Sequence, residues 1–370
     1  MKRRRLPPGD PVLAFAIGIL IMLGCVMVFS SSAILANNRF GDPYVYIRRH
    51  MSFLFVGLGL LYLSSRMKTE IWRKSWLILY LATLAGLAAT FMMGKSLSGA
   101  RRWLYLGPIG FQVSELAKLV LVVALARYLD RYHSRLTRWR WALVYPTLMF
   151  GLLIVPIALQ PDFGNPFVMM LGFFSMLLIA GISWKHLAVY PLMALPAMAA
   201  LIVKSPYRIK RFLSFFSLWK ADDIAVQHGA AYQASQALLA LGSGGLFGKG
   251  LGDSDLKLHY LPQPHTDFVF PVIGEELGFA GSMAVVILFS LIAIRGIKAA
   301  INAERAFDRS LAAGLTLMLV FQAGIHMAVT TALAPTKGIT LPFISYGGSS
   351  LLMSCLMAGI LLRISRSRNA

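Results

Sequence analysis

Acidic residues are scarce: Asp and Glu together number 15 of 370, against 36 Lys and Arg, and charged residues of both signs reach only 14%. So little charge excludes an ordinary soluble globule, in which about a quarter of the residues are charged. Cysteine is nearly absent. The two present, Cys25 and Cys355, both fall inside apolar runs, which argues against a disulfide framework or a zinc site and for two small buried hydrophobes. What is abundant is apolar: hydrophobic residues make up 57% of the chain and the mean hydropathy is +0.67. That is the composition of a polytopic membrane protein. A net charge of +21 would point to nucleic acid in a soluble chain. Here Lys and Arg stand in short blocks between apolar runs, so the charge encodes topology and no nucleic-acid partner is expected.

Ten mostly apolar segments, 12–34, 50–65, 76–94, 114–127, 141–159, 166–181, 186–203, 267–294, 311–334 and 345–362, read as membrane spans. They predict an all-α fold with about ten transmembrane helices in a single transmembrane domain over residues 1–370. The KRRR block at 2–5 precedes the first run as in a signal peptide, but the run from Val12 to about Ser32 is too long for one and is expected to stay as the first span. An even number of spans puts both termini on one side. Segments 2–5, 66–74, 127–140, 185, 295–309 and 363–368 carry 21 of the 36 Lys and Arg, whereas the short loops opposite carry Arg39, Arg48, Arg49, Lys95, Arg101, Arg102 and Lys337. The excess places both termini in the cytoplasm and the long 204–266 loop, between spans seven and eight, outside.

The chain is organised around HTDFVFPVIGEELG, residues 265–278, where the long external loop re-enters an apolar span carrying Asp267, Glu275 and Glu276. An ionised side chain at membrane depth costs roughly 2.5–3.5 kcal/mol, so such residues face a cavity or a partner and mark function. The competing reading is an ordinary helix start, with Asp267 as its N-terminal cap and the glutamates shallow in the headgroup layer. The fourth span carries a second intramembrane pair, Glu115 and Lys118 in QVSELAK. Three positions apart, they share a helix face and can neutralise each other. Lys118 is also a point charge suited to a diphosphate.

The other unusual residues also fall at external span ends. SGARRWL places Arg101 and Arg102 beside Trp103 and Tyr105, fitting either a lipid headgroup site or an interfacial aromatic belt. QPDFG holds Asp162 in a short turn, and turn chemistry alone explains that residue set. The long loop opens with YRIKRFLSFFSLW, residues 207–219, expected as an amphipathic strip in the outer headgroup layer. Its GSGGLFGKGLG run, residues 242–252, lacks the P-loop order, which argues against nucleotide binding. KGITLPFISYGGSS, residues 337–350, breaks the helix with Pro342, Gly347 and Gly348, and broken backbone at membrane depth is tolerated where it lines a cavity. One extracytoplasmic cavity open to lipid is therefore expected.

SGARRWL, FQVSELAK, QPDFG, GSGGLFGKGLG, LPQPHTDFVFPVIGEELG and KGITLPFISYGGSSL, in that order and over nearly the whole chain, resemble the SEDS family (shape, elongation, division and sporulation), the bacterial peptidoglycan polymerases. GITLPFISYGGSSL and YRIKRFLSF look most like the division member, FtsW, or its sporulation relative, SpoVE, rather than the elongation member, RodA. Val113, where a proline is usual, and Gln263-Pro264 before the His depart from the pattern.

The resemblance implies a glycosyltransferase, without organic cofactor, that extends a nascent glycan strand from lipid II at the outer face of the bacterial cytoplasmic membrane. The family's essential aspartate maps onto Asp267, and a substrate-binding set of Glu115, Lys118, Arg101, Arg102, Trp103, Asp162, His265, Thr266, Glu275, Lys337 and Ser345 is expected beside it. An inverting transfer needs one carboxylate to take the acceptor proton and a cation for the departing diphosphate. Two roles for Asp267 stand open, general base or holder of a divalent cation, Mg or Mn. A lipid II flippase is the competing class, since broken helices and intramembrane charges also suit alternating access. A non-catalytic scaffold would leave the carboxylates unexplained. The implied partners are a class B penicillin-binding protein transpeptidase (FtsI-like) and other divisome membrane proteins, with the small residues Ala312, Ala313 and Gly314 as a face for close helix approach.

Overall fold

The structure, a computed structural model, describes residues 9–97, 100–107, 109–160, 164–190, 192, 209, 230–254, 264–335 and 337–366. The chain is an all-α multi-pass membrane protein. Its helices are α1 (Pro11–Phe40), α2 (Val45–Arg66), α3 (Thr69–Met93), α4 (Val113–Tyr132), α5 (Tyr145–Leu159, entered through a π turn at Arg140–Val144), α6 (Gly164–Ile179), the single turn α7 (Trp184–Leu187), α8 (Ala230–Ser243), α9 (Val269–Ile301), α10 (Ala306–Thr330) and α11 (Gly348–Ser365). Nine of the ten predicted spans fall on these helices. The seventh, 186–203, lies mostly outside the described residues, as do the 207–219 strip and Asp162. Among the described residues six helices are long and apolar enough to cross a membrane: α1, α3, α5 with its π turn, α9, α10 and α11.

The centre of the bundle is α4, in which all but two of the residues from Val113 to Leu129 are buried among α3, α6, α10 and α11. A helix apolar nearly all round can only be satisfied in such a place. α1, α2 and α3 instead turn Phe15, Met22, Phe55, Ile78 and Met92 outward, as lipid-facing helices do. Their inward hydroxyls, Ser31, Ser32, Thr83 and Thr90, bond the carbonyl four residues back and need no partner from the apolar surroundings.

The ends of the bundle differ in kind. Asp10 caps α1 by accepting from the amides of Val12 and Leu13, its own amide donates to Ser365 Oγ at 3.0 Å, and its carboxylate lies 3.6 Å from Arg295. The start of α1 and the end of α11 thus meet at one face, the one that the charge pattern assigns to the cytoplasm. At the opposite face the predicted loop between α3 and α4 forms a three-stranded antiparallel sheet, β1 (Lys95–Leu97), β2 (Ala100–Leu106) and β3 (Ile109–Phe111), the one departure from an all-helical chain among the described residues.

Two expectations need correction. The small face Ala312, Ala313 and Gly314 is buried, and a Cβ on Gly314 would run into Val122 of α4 and Met176 of α6. Close approach there serves the interior of this chain, not a partner helix. The span predicted as continuous over 267–294 is α9, which is broken at Gly278, with φ 69° and ψ −166°.

Candidate active site

Asp267 lies in the turn that precedes α9, one residue ahead of the cap position, Phe268. The turn is held by the segment between α10 and α11. Ser345 Oγ donates to the Thr266 carbonyl at 2.7 Å and accepts from the Leu341 amide at 2.8 Å, and the Tyr346 amide donates to the His265 carbonyl at 2.9 Å. His265 is packed against the rings of Tyr46 (4.8 Å) and Tyr346 (5.5 Å), and burial pulls its pKa down to about 4, so the ring is neutral. The Asp267 carboxylate rests against Gly338, and Lys337, next in the chain, places its Nζ 5.0 Å over the Phe167 ring.

The same segment is tied from below to the charge pair of α4. Lys118 is fully buried, its Nζ 2.8 Å from Glu115 and donating to Gln322 Oε1. The Gln322 amide then donates to the Thr340 carbonyl (3.0 Å) and hydroxyl (3.1 Å), and Thr340 shares a 2.7 Å bond with Ser350. His326 Nδ1 lies 2.6 Å from the Ile339 carbonyl, within reach to donate to it. A relay of side chains therefore runs from Glu115 and Lys118 through Gln322 to residues 339–340, immediately beside Gly338 and Asp267. Gln322 is a residue the motif reading passes over, although an amide at the centre of the apolar LVFQAGIH run is signal enough.

The remaining candidates arrive by other routes. Arg102 Nε donates to the Gln160 carbonyl at 3.2 Å, linking β2 to the end of α5, and Trp103 stands beside it in β2 opposite Lys95. The Arg101 side chain lies outside the described residues. Gly164, at the start of α6, packs against Ile339. Asn165 donates to Ser114 at 3.0 Å. Among the described residues no group of three or more His, Cys, Asp or Glu is placed to hold a metal.

This arrangement has relatives. The family described as Cell cycle protein (FtsW, RodA, SpoVE) matches residues 11–370. The chain belongs to that family. It is 40% identical over 351 residues to "Probable peptidoglycan glycosyltransferase FtsW" of Coxiella burnetii, covering 94% of this chain and 93% of that one. It is 36% identical over 370 residues to a Geobacter sp. (strain M18) protein of the same description, covering 99% and 100%. Among solved structures it is similar to a chain of "Structural coordination of polymerization and crosslinking by a peptidoglycan synthase complex", with 30% identity, a TM-score of 0.77 and coverage of 97% and 98%. It is likewise similar to the Thermus thermophilus rod shape determining protein RodA, with 30% identity, a TM-score of 0.71 and coverage of 98% of each chain.

In this FtsW/RodA/SpoVE chain the two glutamates of α9 bond to other elements. Glu275 accepts from Lys249 Nζ (2.9 Å) and Ser254 Oγ (2.5 Å), and Glu276 accepts from Ser30 on α1 at 2.7 Å. The glycine-rich loop lies across the break in α9. The amides of Lys249 and Gly250 donate to the carbonyls of Glu275 and Glu276, and those of Phe279 and Ala280 donate to the carbonyls of Gly245 and Leu246. Four backbone groups freed by the break are thereby satisfied at membrane depth, as they must be where no water competes. A Cβ at Gly248 would strike the Glu276 carbonyl, so the glycines let two backbones touch rather than cradle a phosphate.

Proposed function

We propose that this chain is a peptidoglycan glycosyltransferase that polymerises lipid II at the outer face of the cytoplasmic membrane, serving septal wall synthesis in cell division. The observation that carries the reading is the Asp267 carboxylate set against Gly338, in an external loop tied through Thr340 and Gln322 to the buried Glu115–Lys118 pair. Inverting transfer from an α-linked diphosphate donor requires a carboxylate that takes the proton of the acceptor 4-hydroxyl as the new bond forms. Asp267 is proposed for that role. The departing diphosphate needs fixed positive charge, for which Lys337, beside Gly338, and Arg102, on β2, are the proposed residues, with Lys118 acting from beneath. His265, Thr266 and Ser345 hold the turn on which the carboxylate stands.

A divalent cation fits this residue set in one way. Mg²⁺ commonly takes one or two protein carboxylates and fills its shell with phosphate oxygens and water. Asp267 would be its protein ligand, and the ion would neutralise diphosphate charge.

The partner proposed is a class B penicillin-binding protein transpeptidase, docked on lipid-facing helix surfaces and external loops. The experiment that tests the reading is glycan synthesis from lipid II by the purified protein, with Asp267→Asn alongside. The Asn side chain has the same shape but accepts no proton and holds a metal poorly. Loss of glycan with a folded Asn variant is expected, and wild-type-like chains from it would overturn the assignment.

A further inference from the structure

The cytoplasmic face carries a cationic surface that neither topology nor catalysis uses up. Between α4 and α5 the chain reads RYHSRLTRWRWALVY from Arg131, with four arginines in ten residues and no acid. Three carboxylates elsewhere on this face are already engaged: Asp10 with Arg295, Glu70 with Arg73 and Arg305, and Asp130 with Arg73 and Arg127. Among the described residues Arg131, Arg135, Arg138 and Arg140 have no carboxylate within ion-pair distance, and all four are exposed.

Three of these arginines are laid out on aromatic rings. Arg135 lies 4.9 Å over Trp141 and 5.9 Å over Tyr132, Arg131 5.6 Å over Tyr132, and Arg140 5.4 Å over Trp139. The rings themselves pack in series, tilted by 39–49°, Tyr128 to Tyr132 to Trp141 to Tyr145, at 4.5–5.1 Å. The hairpin beneath is rigid. Leu136 is buried, the Tyr128 hydroxyl donates to the Trp141 carbonyl at 2.7 Å, and the amides of Trp141 and Ala142 both donate to the Arg138 carbonyl. Trp139 and Tyr145 are exposed at the same level, where such residues mark the headgroup layer of a bilayer.

We propose that the α4–α5 hairpin is a binding site for the phosphates of anionic phospholipids in the inner leaflet. The positive-inside bias asks only for charge and is met by Lys as well as Arg. This hairpin uses arginine alone, whose planar fork binds phosphate bidentately and whose face stacks on aromatic rings. Stacking also restricts the side chains before a ligand arrives, so less freedom is lost on binding. The occupant is committed by charge: four uncompensated guanidinium groups at headgroup depth face the one abundant anion of that layer, a lipid phosphate. Such a lipid steadies the foot of α4, whose outer half carries Glu115 and Lys118.

The test uses the full chain in phosphatidylcholine nanodiscs doped with tetraoleoyl cardiolipin, counting retained cardiolipin by native mass spectrometry. Wild type is compared with Arg135→Gln/Arg140→Gln, which leaves Arg127, Arg131 and Arg138 to hold the topology, and with Lys68→Gln/Lys74→Gln, which removes equal charge from the neighbouring loop of the same face. We expect the arginine variant to bind cardiolipin about tenfold more weakly or worse, and the lysine variant to stay within about twofold of wild type. Equal retention by the arginine variant, or an equal loss in the lysine variant, would overturn the site. If the Gln variant fails to insert, Arg135→Lys/Arg140→Lys decides: severalfold weaker retention is expected, and unchanged retention sinks the proposal.

Discussion

The backbone of Gly338 lies directly against the carboxylate of Asp267: a methyl built on Gly338 would sit 2.7 Å from Asp267 Oδ2 and 3.3 Å from its Cγ. The obstructed atoms are the far end of a side chain, so Gly338→Ala displaces the carboxylate rather than the fold. A shift of a reacting group by about 1 Å costs on the order of a hundredfold in rate. We expect Gly338→Ala to melt within a few degrees of wild type and to polymerise lipid II at least about tenfold more slowly. An unchanged initial rate would remove Gly338 from the site.

Exchanging the α4 charges, Glu115→Lys with Lys118→Glu, separates a self-neutralising pair from a functional one. Mutual neutralisation survives the exchange, but the relay does not. Gln322 receives the Lys118 ammonium on its oxygen and spends its nitrogen on Thr340, so a carboxylate at 118 faces the amide oxygen, or flips the amide and strips Thr340 of its donor. The exchanged protein is expected to insert and express but to lose on the order of a hundredfold in glycan synthesis. Near-normal synthesis would leave the pair a structural feature.

Glu275 gives a contrasting expectation. Its carboxylate holds Lys249 and Ser254, and through them the loop that covers the break at Gly278. Lys249 is partly exposed, which tempers the ion pair. Glu275→Ala is expected to lower stability by about 1–3 kcal/mol, read as an earlier melt, with the KM for lipid II unchanged in the protein that remains folded. A raised KM at unchanged melting would instead place Glu275 against substrate.

Topology is checked by thiol labelling of intact cells. Ser243→Cys, at the end of α8 on the external side, should react with an impermeant reagent, and Ser134→Cys, in the basic hairpin after α4, should not. Labelling at position 134 would invert the orientation.

The partner proposal carries its own measurement. Co-expression with the cognate class B penicillin-binding protein should yield a complex that survives mild detergent and polymerises faster than this chain alone. Equal rates with no co-purification would remove the partner.

Hydropathy and charge are local properties, and they were enough for nine of the ten span positions; they also single out Asp267 as the residue out of place in an apolar setting. The resemblance of the ordered motifs to one family was equally legible. What surrounds Asp267 was not. Lys118 and Gln322 stand 204 positions apart, and nothing in either neighbourhood announces that one ammonium and one amide complete each other. The glycine-rich run reads only as a loop without P-loop order until Gly278 breaks α9 and leaves carbonyls and amides that only a closely approaching backbone can satisfy. Ala312 to Gly314 read as a docking face until α4 and α6 fill it from within. In each case composition marks a residue as unusual. Which surface meets it depends on how the helices assemble, because hydrogen bonding and close packing reward positions in space whatever their distance along the chain.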